Sequence, residues 1–216
     1  MNRIKDYNLY LVLSSEYAKR KPLLDIASKA VTAGVDILQM REKDMPKRDL
    51  IILGKNLLSL CREFNTLFIV NDDPYLARDL NADGLHLGQE DIKRYPLSSA
   101  RKILGPDKII GISTHSIEEF RRANSEDFDY IAFGPIFPTK TKNYSIGTDD
   151  VEQILSVASK PVIFIGGINL ENVDLLLSKG ARSIAAIRAV IGSDDITAAV
   201  NHFRKQIISC KTEAKT

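Results

Sequence analysis

Short apolar runs alternate with longer segments of helical periodicity along almost the whole chain. Eight of these runs are rich in β-branched and other apolar residues, as buried strands are. They lie at residues 9–13, 36–40, 67–71, 84–88, 108–113, 129–134, 161–166 and 183–188. Because a helical segment separates each strand from the next, the pattern predicts parallel strands joined by crossover helices.

The segments between the runs carry the spacing and the end signals of amphipathic helices. Between the second and third runs, apolar residues recur at intervals of three and four and predict one buried stripe. The stripe consists of Leu50, Leu53, Leu57, Leu60, Cys61 and Phe64. Ser116 and Glu119 have the spacing of a capping box, which predicts a helix start. Asn169 and Gly180 are typical of the start and the end of a later helix.

Eight strand–helix repeats within 216 residues fit a (β/α)8 barrel near its lower length limit. The alternative is an open, doubly wound sheet. Against it, no G-x-G-x-x-G motif follows the first strand, and polar residues gather at the ends of many strands rather than at one crevice. We therefore expect an α/β fold with one (β/α)8 TIM barrel domain over residues 1–216, of which 210–216 form a frayed tail.

Composition narrows the class of protein further. Hydrophobic residues make up 44% of the chain and charged residues 27%, so a sizeable core can be buried. A net charge of +2 is too small to indicate a general binder of nucleic acid or of anionic membranes. The first residues fit neither a signal peptide nor a membrane-spanning helix. These features predict a soluble cytoplasmic protein whose partners are neither nucleic acids nor membranes; a homo-oligomer is left open.

The two cysteines indicate neither a disulfide framework nor a metal site. Cys61 lies inside the apolar stripe and Cys210 lies close to the polar C-terminal segment, without C-x-x-C spacing. Cys61 is therefore predicted to be a core residue.

In a (β/α)8 barrel, chemistry is placed at the C-terminal ends of the strands, where the loops converge. The polar segments after strands two to six are QMREK (39–43), NDD (71–73), HLGQED (86–91), STH (113–115) and GPIFPTKTK (134–142). GGI (166–168) and RAVIG (188–192) follow the last two strands. The predicted mouth therefore combines carboxylates on one side with cations, hydroxyls and glycines on the other.

Two segments of this mouth have the character of phosphate-binding sites. Gly166 and Gly167, with the loop after strand eight, occupy the place where many barrels bind phosphate through backbone N–H groups. The alternative is a tight strand-to-helix turn without a ligand. The second segment, residues 134–148, is long and polar for a connector in so small a barrel. It offers the hydroxyls and the cation of Thr139, Thr141 and Lys142. A solvated basic loop is the alternative there.

The carboxylates of the mouth require an explanation beside strongly anionic ligands such as a diphosphate. A hard cation such as Mg2+ would reconcile the two, because Mg2+ takes one or two protein carboxylates and completes its shell with phosphate oxygens and water. Asp72 and Asp91 supply such a pair from adjacent strand ends. Either residue could instead cap a helix. Asp73, followed by Pro74, is the better cap of its group.

The combined motifs resemble those of thiamine phosphate synthases. QMREK, ND followed by ADGLHLGQED, GPIFPTKTK and GGI occur in this order and at these intervals, and the resemblance covers nearly the whole chain. It implies a (β/α)8 barrel and a transferase of thiamine biosynthesis. Such an enzyme joins 4-amino-2-methyl-5-hydroxymethylpyrimidine diphosphate to 4-methyl-5-(2-phosphooxyethyl)thiazole and releases diphosphate with the help of Mg2+.

Individual roles follow from the resemblance, motif by motif. It implies that Asp72 and Asp91 bind Mg2+. It implies diphosphate contacts by Arg41, Lys43, Asn71 and Lys142. Gln39 and His86 would place the pyrimidine, although a histidine without this context would more often be a satisfied barrel residue. Ser113, Thr139 and Thr141 would lie around the diphosphate and the closing loop, the two threonines also near the thiazole. Gly167 and the backbone at Ile187 and Arg188 would hold the thiazole phosphate.

The implied chemistry needs no protein nucleophile. The C–O bond to diphosphate breaks first, the aminopyrimidine stabilises the methylene cation, and the thiazole nitrogen attacks it. The protein's part is to position the reactants and stabilise the charge of the leaving group. Arg41, Lys43, Ser113 and Lys142 are the catalytic candidates.

One position departs from the family pattern. A small residue, often serine, is usual after the last strand, whereas this chain has Arg188. Its side chain would be harmless, would add a charge-assisted contact, or would fill the phosphate niche. Two rival functions also remain: a thiazole tautomerase, which shares the barrel and the thiazole-phosphate site without needing the acidic pair, and a non-catalytic phosphate-binding barrel.

Overall fold

The computed structural model describes residues 8–139 and 144–213. In this part of the chain, eight strands close a barrel in which each strand pairs with its sequence neighbours and β1 pairs with β8, all in parallel. The strands are β1 (Leu9–Leu13), β2 (Ile37–Met40), β3 (Leu67–Asn71), β4 (Gly84–Leu87), β5 (Ile109–Thr114), β6 (Tyr130–Phe133), β7 (Val162–Ile165) and β8 (Ile184–Ala186). The predicted (β/α)8 barrel is confirmed.

Helices fill the connections and surround the barrel. Those before β5 are α1 (Leu23–Thr32), α2 (Lys47–Glu63), α3 (Pro74–Asp79), α4 (Asp91–Arg94) and α5 (Leu97–Leu104). Those after it are α6 (Ile117–Ser125), α7 (Val151–Val157), α8 (Val173–Leu177), α9 (Arg188–Ile191) and α10 (Ile196–Glu213). A short 3-10 turn, Ser15–Tyr17, follows β1. Since α10 extends to Glu213, residues 210–213 of the predicted tail are helical.

Side chains alternate between the barrel interior and the helical layer, as the two-residue period of a strand requires. The interior cluster contains Tyr10, Val12, Ile37, Ile69, Ile109, Tyr130, Ile163 and Ala185. The alternate positions, such as Leu11, Phe68 and Phe133, belong to the larger core under the helices. The barrel is therefore filled by side chains, and its ligand-binding space lies above them at the C-terminal ends of the strands.

The predicted stripe on α2 is correct at its centre and wrong at its end. Leu57 and Cys61 are completely buried. Burial raises the pKa of the Cys61 thiol to about 12, as expected for an unreactive core residue. Phe64 is 41% exposed, because α2 ends at Glu63 and the chain turns there. Leu58, outside the predicted stripe, is buried instead.

The helix-end signals act locally, with two differences from the prediction. Ser116 caps α6 by accepting from the Glu119 N–H at 3.2 Å. The Glu119 carboxylate accepts from the His115 N–H at 2.6 Å, one residue before the position that a capping box uses. Asn169 caps a turn rather than a helix, since α8 begins only at Val173.

Within the described ranges, the helices include none that is long and apolar enough to cross a membrane.

Candidate functional site

Two adjoining cavities occupy the mouth of the barrel. The central cavity, about 150 Å³, lies directly above the interior cluster and is lined by Gln39, Arg41, Asn71, His86 and Ser113, among others. The β7–β8 cavity, about 410 Å³, is lined by Gly166, Gly167, Asn169, Ile187 and Arg188, with Thr139 at its edge. Ser113, Tyr17 and Ile187 line both. Ser113 on β5 therefore stands where two neighbouring ligands would meet.

Asp72 and Asp91 come together on the β3–β4 side of the mouth. Asp72 follows β3 in a left-handed conformation with φ of 66°, and its N–H donates to the His86 carbonyl at 2.9 Å. Asp91, the first residue of α4, folds back to accept from the Gly88 N–H at 3.0 Å. A Cβ at position 88 would lie 2.8 Å from Asp91 Oδ2, so a side chain there would displace the carboxylate from this position. The loop geometry thus brings the two carboxylates face to face.

This pairing changes the acidity of Asp72. Burial first, and then its hydrogen bond and charge repulsion with Asp91, raise the pKa of Asp72 to about 7. Arg41 and Lys43 act in the opposite direction, so both cations lie within electrostatic reach of this carboxyl. A pair of carboxylates that repel one another while cations stand close by is suited to binding a further cation together with an anion.

The two carboxylates fit a magnesium ion that would be coordinated by the protein and by a substrate together. Among residues 8–139 and 144–213, no three or more His, Cys, Asp or Glu side chains are grouped to hold a metal. The pair Asp72 and Asp91 suffices for Mg2+, which uses one or two carboxylates when phosphate oxygens and water complete its octahedron. Asp73 is not part of the set. It caps α3 by accepting from the N–H groups of Tyr75 and Leu76 at 2.9 and 3.0 Å, as predicted.

Cations flank the carboxylate pair on the β2 side. Arg41 follows β2, lines the central cavity and lies 3.9 Å from Glu16 in a half-exposed ion pair that contributes little stability. Lys43 is exposed and lines a neighbouring depression with Arg41. Asn71, the last residue of β3, lines the central cavity between these cations and His86. An anionic group on this half of the mouth would therefore meet two cations and an amide.

The opposite half is built from backbone. Gly166 and Gly167 have φ values of 102° and 67°, which side-chain-bearing residues rarely adopt. A Cβ on Gly166 would lie 2.4 Å from Pro135 Cα, and one on Gly167 would lie 2.7 Å from the carbonyl oxygen of Phe137. Glycine is therefore required at both positions for two reasons: the backbone conformation and the close approach of the loop after β6. The tight turn, which was the alternative to a phosphate site, is present, and it lines the β7–β8 cavity.

The segment after β6 is fixed at its base. Its outgoing part pairs with the end of β7 through Ile136 N–H to the Ile165 carbonyl at 2.9 Å, and its returning part is tied to it by Ile146 N–H to the Pro135 carbonyl at 2.8 Å. Thr139 lines the β7–β8 cavity. Thr141 and Lys142, two predicted site residues, lie outside the described residues.

Arg188 reaches the β7–β8 cavity with its charged end. Its guanidinium carbon lies 6.0 Å from the centre of the Tyr17 ring, a cation–π arrangement at the limit of useful distance. The side chain is exposed, and no carboxylate of the described residues lies within ion-pair distance of it. Arg188 therefore leaves the cavity open and adds one cation to its rim.

A continuous hydrogen-bonded chain runs along the central cavity and reaches the β7–β8 cavity at Ser113. Gln39 Nε2 donates to Tyr10 Oη at 2.7 Å, and Tyr10 Oη lies 3.0 Å from Tyr130 Oη. Tyr130 Oη lies 2.8 Å from His86 Nδ1, and His86 Nε2 lies 2.8 Å from Ser113 Oγ. Burial lowers the pKa of His86 to about 4 and raises the pKa of both tyrosines. The imidazole is therefore neutral at physiological pH.

Several residues at the mouth escaped the sequence-based reasoning. Tyr10 and Tyr130 lie inside apolar strand segments and looked like core residues. Tyr17 lies in a short 3-10 turn. His115 belongs to the segment 113–115 that was placed at the mouth, but no role was predicted for it. Asn172 gives no signal of its own beside Asn169, although its Nδ2 donates to the Gly167 carbonyl at 3.0 Å. One signal was available: a tyrosine at an inward strand position must bring its hydroxyl to a buried polar partner.

Fold and site define a (β/α)8-barrel protein whose mouth holds two adjoining cavities, one edged by paired carboxylates and cations and the other by a glycine turn. The sequence profile described as thiamine monophosphate synthase matches residues 9–190. The chain belongs to this family.

Individual relatives agree with this assignment. The chain is 40% identical over 196 residues to the thiamine-phosphate synthase of Halalkalibacterium halodurans, covering 89% of this chain and 92% of the relative. It is 37% identical over 204 residues to that of Moorella thermoacetica, covering 93% and 96%. The solved thiamine phosphate pyrophosphorylase of Pyrococcus furiosus superposes with a TM-score of 0.86 at 34% identity, covering 97% and 98%. The predicted family and the predicted transferase class are confirmed.

Proposed function

We propose that this protein makes thiamine phosphate from 4-amino-2-methyl-5-hydroxymethylpyrimidine diphosphate and 4-methyl-5-(2-phosphooxyethyl)thiazole, releasing diphosphate, in the cytoplasm. The observation that carries the proposal is the pair of cavities that meet at Ser113. A reaction that joins two substrates needs two sites whose reacting ends touch, because the rate gain comes from holding both reactants in contact.

The central cavity suits the pyrimidine. Gln39 donates from Nε2 to Tyr10, which leaves its Oε1 as the amide acceptor for the amino group of a ligand. Both ring nitrogens of His86 are bonded to protein groups, so His86 would contact the pyrimidine through its ring and act by orienting Ser113.

The diphosphate would lie on the β2–β4 side, among the cations. Arg41 and Lys43 approach from the β2 side, and Arg41 and Asn71 both line the central cavity. Lys142 completes this set in the proposal. Asp72 and Asp91 would hold Mg2+ between themselves and the diphosphate oxygens. The bound ion would supply charge neutralisation to the departing diphosphate.

The thiazole phosphate would occupy the β7–β8 cavity. Gly166 and Gly167 allow a close approach of the ligand to the backbone, and the loop after β8 offers N–H groups at Ile187 and Arg188. Thr139 edges the same cavity, and Thr141 belongs to this side in the proposal. The thiazole nitrogen would then point toward Ser113 and the pyrimidine.

The residues of the site are suited to a dissociative substitution. Within the described part of the mouth, Ser113 is held by a histidine that lacks a carboxylate partner, which does not make a nucleophile triad. Cys61 and Cys210 lie away from both cavities. The protein's work is to align the substrates, to exclude water from the methylene cation and to stabilise the leaving diphosphate with Arg41, Lys43 and Ser113.

The test is thiamine phosphate formation from the two purified substrates, with and without added Mg2+, followed by oxidation to fluorescent thiochrome. We expect product only with Mg2+, and none after chelation. Turnover that persists in a chelator would refute the role of the metal. Absence of product from folded protein would refute the synthase, and isomerisation of the thiazole phosphate precursor in the same preparation would favour the tautomerase.

A further inference from the structure

The buried chain from Gln39 to Ser113 has a feature that distance alone does not reveal: its hydrogens can run in only one direction. Gln39 Nε2 is a donor only, so Tyr10 Oη must accept from it. The Tyr10 hydrogen then has one acceptor within the described residues, Tyr130 Oη at 3.0 Å. If Tyr130 donated to Tyr10 instead, the Tyr10 hydrogen would have no acceptor among the described residues, and an unpaired buried donor is unfavourable.

The same logic fixes the histidine. Tyr130 Oη already accepts from Tyr10, so its own hydrogen goes to His86 Nδ1 at 2.8 Å. A nitrogen that accepts carries no hydrogen, and a neutral imidazole must then carry its hydrogen on Nε2. His86 Nε2–H therefore donates to Ser113 Oγ at 2.8 Å.

Ser113 ends the chain as a donor. Its Oγ accepts from His86, and its hydroxyl hydrogen is left to bond with a ligand in one of the two cavities that it lines. If His86 carried its hydrogen on Nδ1, Ser113 would donate to Nε2 and would offer a ligand only lone pairs. The direction of the chain thus decides whether Ser113 attracts or repels an anionic oxygen.

One glycine makes room for this hydrogen-bonded chain. Gly111 stands between His86 on β4 and Tyr130 on β6, in register with both. A Cβ at position 111 would lie 2.0 Å from Tyr130 Cζ. Because position 111 has no side chain, the Tyr130 ring can cross β5 and stack on the His86 ring, with centroids 5.5 Å apart and an interplanar angle of 27°.

We propose that Tyr10 and Tyr130 are positioning residues that hold His86 in its Nε2–H tautomer, and thereby make the Ser113 hydroxyl an obligatory donor to the departing diphosphate. Neither tyrosine lies among the predicted site residues. The inference rests on the proposed function for the identity of the acceptor, whereas the tautomer is a property of the protein without ligand.

The first measurement is therefore made without substrate. Long-range 1H–15N correlation spectra of 15N-labelled protein show which ring nitrogen of a histidine is protonated. The chain has three histidines, and the signals of His86 are identified by their loss in His86→Gln. We expect the Nε2–H tautomer alone. The Nδ1–H tautomer in the unmodified protein would overturn the proposal, whatever its activity.

Removing the hydroxyls tests the consequence. Tyr130→Phe keeps the ring and removes the donor to His86, so we expect a mixture of tautomers and a kcat lower by about threefold to tenfold, the value of one hydrogen bond. KM for both substrates should stay nearly constant, because the Ser113 contact strengthens as the diphosphate leaves. In Tyr10→Phe, the Tyr130 hydroxyl can either donate to His86 or accept from it. We therefore expect smaller changes in the tautomer population and in kcat, in the same direction as in Tyr130→Phe.

Phe133→Leu is the matched control. Phe133 lies on the same strand as Tyr130 but packs on the outer face, edge-to-face against Phe120 and Phe164. It should lower the thermal midpoint while keeping one tautomer and the original kcat per folded molecule.

The outcomes separate a positioning role of the tyrosines from a purely structural one, and the inference from the proposed function. A lower kcat with an unchanged tautomer in the tyrosine variants would mean a structural role and would overturn the inference, as would an unchanged kcat in both. If the unmodified protein makes no thiamine phosphate, the proposed function fails, while the spectra still decide the direction of the chain. Should Tyr130→Phe not fold, Tyr10→Phe and the unmodified protein decide it.

Discussion

The two halves of the barrel mouth meet anionic groups by different means. On the β2–β4 side, charged side chains stand against one another, and burial beside Asp91 raises the pKa of Asp72 to about 7. On the β7–β8 side, Gly166 and Gly167 expose backbone, and the one charged side chain named there, Arg188, lies at the rim. Without a ligand, the first half therefore keeps two carboxylates in mutual repulsion. The second half has no such charge repulsion among the residues named here, and its shape is set by the backbone of the glycine turn. We expect substitutions on the first side to act on turnover and on the second to act on binding.

The largest effect is expected from Asp72→Asn. Asparagine tolerates the left-handed conformation that Asp72 adopts, so the fold should be retained while one carboxylate of the proposed metal pair is lost. We expect kcat to fall by at least about 100-fold, the scale of losing one preorganised electrostatic group. Steady-state kinetics at saturating Mg2+ measure it, with circular dichroism as the check on folding.

Asp73→Asn is the control for this change, since it removes the same charge one residue away. Asp73 caps α3, and asparagine caps as well as aspartate does. Its kinetics should remain close to the original. Equal losses in the two variants would assign the effect to local charge and contradict the metal pair.

A smaller effect, on binding, is expected from Gly167→Ala. A Cβ would be forced into a left-handed conformation and would lie 2.7 Å from two carbonyl oxygens, so the turn must shift. We expect KM for the thiazole phosphate to rise by about tenfold or more, equivalent to losing one or two charge-assisted hydrogen bonds. KM for the pyrimidine diphosphate should change less.

Gly180→Ala is the control that distinguishes backbone strain in general from a change in the β7–β8 cavity. Its φ of 91° is as unfavourable, but within the described part of the chain a Cβ there meets only Leu155 Cδ1 at 3.5 Å, away from the mouth. This variant should lose thermal stability without a change in either KM. A raised thiazole-phosphate KM in Gly180→Ala would show that general destabilisation, rather than the turn, governs binding.

The smallest effect is expected from Arg188→Ser. Its guanidinium is exposed at the cavity rim, so removing it should raise KM for the thiazole phosphate by no more than about tenfold, with kcat retained. The increase should shrink at high ionic strength, because salt screens an exposed charge. Lys55→Ser, an equal charge loss on α2, is the control. A lower KM in Arg188→Ser would mean that the side chain obstructs the phosphate.

Much of the charged half of the site could be predicted because its residues follow strands immediately. Asp72 and Arg41 come directly after β3 and β2, so locating the strands located them. The start of α8 was misjudged, because Asn169 gives the same local signal whether it caps a turn or a helix. The exposed Phe64 was misjudged because periodicity cannot tell where a helix stops.

The sequence by itself determined the strands, their parallel order and the polar segments that follow them at the mouth, because apolar periodicity and strand ends are local properties of the chain. Only the tertiary structure decided which polar groups touch. Tyr10 and Tyr130 are separated by 120 positions and meet because the barrel closes and Gly111 vacates the space between them. Contacts across the barrel depend on register and on the volume of neighbouring side chains, which no short segment encodes.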